Sequence, residues 1–448
     1  MIVMKFGGTS VESASAIERV AEIVRARVGR KPVVVVSAMG KTTNKLLAVA
    51  SDAVGGRRER ALAALSGLRD FHLKESPPGA APAIDEHFRE LAELVRGLAV
   101  LGELTPRSID AISSFGERLS SQIVTLAFRG FGMNAVHVDA RAVIKTDARH
   151  TQANPLFDLT YSILAKEIPP LAASGVVVMG GFIGSTEDGV TTTLGRGGSD
   201  YSASIAGAGI GAEEIQIWTD VDGMLTCDPA ILPAGRRVKT ISFAEAAELA
   251  YFGAKVLHPA TMLPAVEKNI PVLILNSRRP EAEGTRIVAG SVPCRNDVKS
   301  IACKRRIAVV NIRSLRMLMA YGFLKRIFEV FDRYETPVDL VTTSEVSVSL
   351  TIDSTARLDK IIGELRQFSE VTVEEDSAIV CLVGDNIRFT PGVAGRVFRA
   401  LEPVNVRMIS QGASRQNLSC VVAEDDLPRA VELLHKEFFS QVDPAVFD

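Results

Sequence analysis

Short β-branched, apolar runs return between helix-length segments across the first two-thirds of this chain, and that alternation constrains its fold more than any other feature. Ile2–Phe6 reads as a strand, 15–27 as a helix and 32–37 as a second strand. Further strands are predicted at 135–139, 175–180, 214–218 and 271–275. These runs are continuously apolar rather than alternating, as strands buried on both faces require, and the helices between them supply parallel crossovers. An α/β fold around a parallel sheet follows. The helical stretch 57–101 breaks the rhythm and reads as an insertion.

At 448 residues the chain exceeds one ordinary core, so two or three domains are expected. From about residue 299 the pattern changes to short α+β modules. A helix at 322–334 places Phe323, Ile327, Val330 and Phe331 on one side, and strands follow at 338–342 and 346–352. The plan recurs some 70 residues on, with Gly392, Val397, Phe398 and Leu401 echoing Gly322, Ile327, Phe328 and Phe331 before strands at 404–409 and 418–422. The charged, Gly/Pro-containing stretch 278–290 reads as the link between the two regions.

Several partners are excluded. A net charge of −2 with no dense Lys/Arg block leaves no electrostatic footprint for nucleic acid. The longest apolar stretches, 32–36 and 176–179, are too short to cross a bilayer. The five cysteines are scattered, without a CxxC pair, so neither a disulfide framework nor a zinc site is expected and a reducing cytoplasm fits best.

Chemistry concentrates in a few segments. In Lys5-Phe6-Gly7-Gly8-Thr9-Ser10 a strand end opens a helix; the glycines expose backbone N–H groups and Lys5 adds a point charge, which together suit phosphate. A tight turn with a surface lysine explains the glycines alone, but not the convergence. In Thr193-Leu194-Gly195-Arg196-Gly197-Gly198-Ser199-Asp200 an arginine among glycines can clamp a carboxylate; a plain Ser-Asp helix cap leaves that arginine unexplained. Trp218-Thr219-Asp220-Val221-Asp222-Gly223 ends a strand where ligands of parallel sheets commonly bind. Lys255, within 253–260, supplies a second cation, His258 reads as a structural cap or packing residue rather than a base, and Glu117 looks no different from a solvated helix-start glutamate. Two decoys are set aside. Gly40-Lys41-Thr42 lacks the first P-loop glycine, since Val35 stands there, and the glycines at 207–211 follow a helix where a dinucleotide fingerprint follows a strand.

Together these segments resemble the aspartate kinases of the amino acid kinase family, over essentially the whole chain, through 5–11, 193–201, 218–223 and 253–261. The stretches 241–247 and 342–348 are similar to the monofunctional, lysine-sensitive type. The resemblance implies a three-layer amino acid kinase domain at 1–290, followed at 299–448 by two ferredoxin-like ACT domains, about 306–376 and 377–448, the second taking an added strand near 299–304. It implies ATP-dependent phosphorylation of the L-aspartate β-carboxylate, with Mg²⁺, as the first step toward lysine, threonine and methionine. Feedback inhibition by L-lysine, and a cytoplasmic homodimer or dimer of dimers formed through the ACT domains, are implied as well.

By the same resemblance, Lys5, Asp200 and Lys255 are catalytic, and Lys5, Phe6, Gly7, Gly8, Thr219, Asp220, Leu225, Ala230, Lys255 and Val256 hold ATP. Ser37, Thr43, Glu117, Arg196, Gly197, Gly198 and Ser199 bind aspartate, Glu117 taking the ammonium and Arg196 the α-carboxylate. Met317, Ala320, Gly322, Phe323, Leu324, Val338, Asp339, Thr343, Ser344 and Glu345 bind the effector; no side chain is assigned to the metal. Leu225 and Ala230 depart from the family's Tyr and Arg, and Met319-Ala320 from its His-Ser. Two other readings stay open: an amino acid kinase acting on another carboxylate, and a catalytically weakened ACT-type sensor.

Overall fold

The structure, a computed structural model, describes residues 1–253, 259–314 and 321–448. Lys255, Val256 and His258, with Met317 and Ala320, lie outside the described residues. The chain divides into two compact units, one of Met1–Met224 with 259–290, the other of 225–253 with Ser291–Asp448. The stretch 225–253, expected with the kinase domain, thus packs with the C-terminal region.

The first unit is built on a sheet ordered Ala135–Val138, Val176–Gly180, Pro32–Val36, Ile2–Phe6, Glu214–Thr219 and Val272–Asn276, all parallel. Every residue of Pro32–Val36 and Val176–Gly180 is buried, which is why those sequences show no polar alternation. Thr285–Val288 adds an antiparallel strand beside Val272–Asn276, so the stretch read as a linker in fact extends the sheet. Its polar flanks hid it. The chain steps from Ile2–Phe6 to one neighbour early and to the other late, which makes the carboxyl end of this strand the switch point of the sheet.

The supporting helices follow their periodicity. Ala14–Arg25 buries Ile17, Val20, Ala21 and Val24 on one stripe, and the Ser13 hydroxyl caps it by accepting from the Ala16 N–H at 3.2 Å. The stretch read as an insertion is a pair of helices, Arg58–Lys74 and Ala81–Leu101, which join the core through Leu65, Leu68, Leu91 and Val95. At the glycine decoy, a Cβ on Gly207 would lie 2.6 Å from Ile215 Cδ1, so tight helix–strand packing accounts for that run.

The second unit carries a six-stranded sheet in the order Val341–Thr343, Ser347–Ile352, Ser300–Arg313, Glu370–Val383, Asn417–Ala423, Met408–Gln411. Two 14-residue strands form its spine. Ser300–Lys304 pairs with Ile379–Val383, whereas Ile307–Arg313 pairs with Glu370–Ser377, with register shifts between Lys304 and Ile307 and between Ile307 and Val309. One pair of strands therefore serves both α+β modules. Glu370–Val383 was not anticipated, because its first half is acidic and mostly exposed while its second half is wholly buried. Helix Phe323–Arg333 packs Phe323, Ile327, Val330 and Phe331 into this unit's core, as the periodicity predicts. Helix Phe243–Tyr251 belongs here too: Glu245, in a capping box with Ser242, meets Lys299 Nζ at 2.9 Å, and both side chains are fully buried.

Candidate active site

At the switch point, the carboxyl ends of the central strands and the first turns of three helices close on a cleft of about 360 Å³. Glycine makes the approach feasible. A Cβ on Gly8 would sit 2.7 Å from the Ala38 carbonyl oxygen, and one on Gly181 would sit 2.7 Å from Ser199 Cα. Without those two hydrogens, neither the loop after Phe6 nor helix Gly198–Ile210 could come so near the strand ends.

Lys5, the one strand residue of Ile2–Phe6 that is not buried, points its ammonium into the cleft and meets Asp200 Oδ1 at 2.7 Å. Asp200 lies in the first turn of helix Gly198–Ile210, whose start no side chain caps. The plain helix-cap explanation of Ser199-Asp200 therefore fails: the carboxylate orients a lysine, and although the Gly198 N–H is taken by the Gly195 carbonyl at 3.0 Å, no side chain occupies the helix start beyond it.

Glu117, in the first turn of helix Phe115–Gly130, is 4% exposed and lines the same cleft. Its Oε1 accepts from the Ala38 N–H at 3.1 Å, while its buried Oε2 has no partner among the described residues. Burial pushes this carboxyl up to about 8, against the opposing pull of the Ala38 and Glu117 N–H groups and the Lys5 charge. Sequence could not separate it from a surface glutamate; only its burial does.

Ser37, Thr43, Gly197, Gly198 and Ser199 share the cleft wall. Arg196, on the same loop, is exposed and pairs with no acid among the described residues. Lys41, Asn44 and Phe182 also line the cleft and were not anticipated. Lys41 fell within the rejected P-loop imitation; its position just past strand Pro32–Val36 was the signal available.

The nucleotide residues are less uniform. Gly7 donates its N–H to the Trp218 carbonyl at 3.3 Å, tying two strand ends together, and Thr219 and Asp220 leave the strand beside them. Phe6 is fully buried and stacks on Trp218 with centroids 5.9 Å apart, so only its backbone reaches the site. Leu225 and Ala230 belong to the other unit, where the Leu225 carbonyl accepts from the Ser300 hydroxyl at 2.7 Å and Ala230 donates its N–H to Asp228. A second cavity of about 180 Å³ holds Arg118 and Arg141, but each guanidinium is already paired, with Glu90 at 2.9 Å and Asp139 at 2.6 Å.

Comparison with known proteins decides the family. The amino acid kinase family model matches residues 1–276 and an ACT domain model matches 380–438. The lysine-sensitive aspartokinase 3 of Escherichia coli is 38% identical over 98% of this chain and 99% of its own. The chain belongs to the aspartokinases of the amino acid kinase family. Chloroplastic aspartokinase 3 of Arabidopsis thaliana is 40% identical, over 98% of this chain and 81% of its own. Two crystal structures of E. coli aspartokinase III match 98% of this chain at 37% identity, one with lysine and aspartate (TM-score 0.86), the other with aspartate and ADP (TM-score 0.83). This aspartokinase thus joins an amino acid kinase domain to C-terminal ACT domains, as its sequence led us to expect.

In the regulatory unit, the residues singled out for an effector divide by exposure. Gly322 (φ 82°) opens helix Phe323–Arg333, with Phe323 buried and Leu324 on the surface. Val338 is half-buried, and Thr343, Ser344 and Glu345 are exposed. Asp339 meets the ammonium of Lys304 at 2.7 Å, an ammonium that Asp353 shares at 2.8 Å. Among the described residues, no helix is long and apolar enough to cross a membrane.

Proposed function

We propose that this aspartate kinase performs its transfer in the cleft around Lys5, Glu117 and Asp200. L-Aspartate sits with its ammonium on Glu117, its α-carboxylate toward Arg196, and the remaining contacts from Ser37, Thr43 and Ser199. That leaves the β-carboxylate facing the γ-phosphoryl of MgATP. One β-oxygen attacks phosphorus, the bond to the ADP oxygen breaks, and 4-phospho-L-aspartate leaves. The substrate carboxylate is ionised near neutral pH, so no general base is required. The obstacle is the repulsion of two anions, which Lys5 and the N–H groups of Ser199 and Asp200 offset, with Lys255 as a further cation. Mg²⁺ would arrive on the nucleotide phosphates and neutralise part of their charge.

The observation that carries this reading is one buried carboxylate with an unpartnered oxygen and one lysine–aspartate pair in a single cleft. It suits a zwitterion with a second acid group. Hydroxylamine trapping of the acyl phosphate tests it directly: product is expected with aspartate and not with glutamate, and product from glutamate alone would reassign the substrate.

L-Lysine is the feedback inhibitor, acting at Asp339, Ser344 and Glu345. Glu345 is exposed and open to such a group, whereas Asp339 would exchange its internal Lys304 ammonium for that of the effector. Replacing Glu345 with alanine is expected to raise the lysine concentration for half-inhibition about tenfold, the worth of one charge-assisted hydrogen bond. Unchanged inhibition in that variant would remove Glu345 from the site. The exposed edge strand Val341–Thr343, with Val341 37% and nearby Ile409 45% exposed, is where a second copy would pair. Five unpaired cysteines suit a cytoplasmic setting.

A further inference from the structure

We propose that Asp110 is a positioning residue for aspartate, holding the loop 195–200 in its binding shape without touching substrate. This rests on the assignment of that loop to aspartate. Asp110 lies on helix Pro106–Ser113, outside the cleft wall, and is fully buried. A carboxylate so placed needs several donors, and it has them. Its Oδ1 accepts from the Thr193 hydroxyl at 2.5 Å and the Thr151 N–H at 3.0 Å; its Oδ2 accepts from His150 Nδ1 at 2.8 Å. Because a carboxylate only accepts, His150 carries its hydrogen on Nδ1.

Both ends of this clamp bear on the glycine loop. Thr193 closes the short strand Thr191–Thr193, from which the chain runs through Leu194 into Gly195. Thr151 has φ 71°, a left-handed conformation that a β-branched residue adopts only under constraint, and its N–H is the group Asp110 holds. That conformation directs the Thr151 carbonyl at Gly195, itself at φ 75°, where a Cβ would come within 3.2 Å. Ala153 completes the seam by donating its N–H to the Thr193 carbonyl at 2.9 Å. On the far side Phe182, at φ 65°, leaves no room for a Cβ on Gly198, which would fall 2.6 Å from its ring. The loop is therefore wedged between two strained residues, and Asp110 fixes one of them. Substrate specificity then depends on a side chain that no ligand meets.

Asparagine at position 110 is nearly isosteric but turns an NH₂ toward a donor, so one contact becomes repulsive. In the full-length enzyme, Asp110→Asn is expected to raise KM for aspartate about tenfold with KM for ATP within about twofold. Thr193→Val should reproduce that split and Thr193→Ser should not. A role confined to stability would instead lower the active fraction, reducing kcat and leaving both KM values in place; that result overturns the proposal. If Asp110→Asn does not fold, the Thr193 pair decides by the same criterion. Arg196→Gln is measured alongside. A raised KM for aspartate there with no change in folded Asp110→Asn overturns the positioning role alone. No change in Arg196→Gln overturns the assignment of the loop to aspartate, and this proposal with it.

Discussion

Lys5→Ala is expected to lower kcat about a thousandfold, the loss seen when one preorganised donor to developing charge is removed. The strand itself survives, because Ile2–Phe6 is held by backbone pairing to Pro32–Val36 and Glu214–Thr219, which the side chain does not enter. What changes is the charge in the cleft. Asp200 loses the ammonium 2.7 Å away and becomes a third negative group facing two anionic substrates. Glu117 also loses a cation that favours its ionised form. Initial rates by acyl-phosphate trapping, with circular dichroism as the folding control, measure the effect. Combining the change with Asp200→Asn separates two causes: if the orphaned aspartate were responsible, the double variant would recover activity. Recovery would remove Lys5 from the chemistry.

Glu117→Gln is expected to cut kcat/KM for aspartate about a hundredfold, as befits losing a buried charge partner for an ammonium. The pH dependence is the sharper signature. Only the ionised carboxylate pairs with the ammonium, and burial holds this group at about 8, so KM for aspartate should fall as pH rises from 6 to above 8. Stability moves the other way. In the unfolded chain the group ionises near 4.5, whereas in the fold it keeps its proton to about 8. The folded state therefore binds more protons across that window, so the contribution is complete below 4.5 and is lost as pH rises through 8. Without aspartate, the melting temperature should decline over this range in the wild type and decline less in Glu117→Gln. Equal profiles in the two proteins would show that Glu117 does not titrate as its burial requires.

Legibility differed from residue to residue for physical reasons. Lys5 and the 195–200 loop announced themselves, because a lysine before paired glycines and an arginine among glycines have no ordinary structural use. Glu117 did not, since an acid in a helix's first turn is common on surfaces, and its meaning lies in the Ala38 N–H and the low-dielectric cleft around it. Asp110 left no local trace at all: its partners are 40 to 83 positions away in sequence. The strand at Thr285–Val288 was missed because it is four residues long between polar flanks, and the acidic half of Glu370–Val383 because an exposed strand has little apolar pattern to read.

The sequence by itself determined the alternation of buried strands and helices, the position of the glycine turns, the repeat of the C-terminal modules and the family. These depend on local periodicity and on residue types with few alternative uses. The tertiary structure decided which charges are buried and paired: that Asp200 holds Lys5 instead of capping its helix, that burial pushes Glu117 up to about 8, that Lys299 and Glu245 meet out of water. Such outcomes depend on what the solvent can reach. Solvent access is a property of the packed chain as a whole, and no short stretch of sequence encodes it.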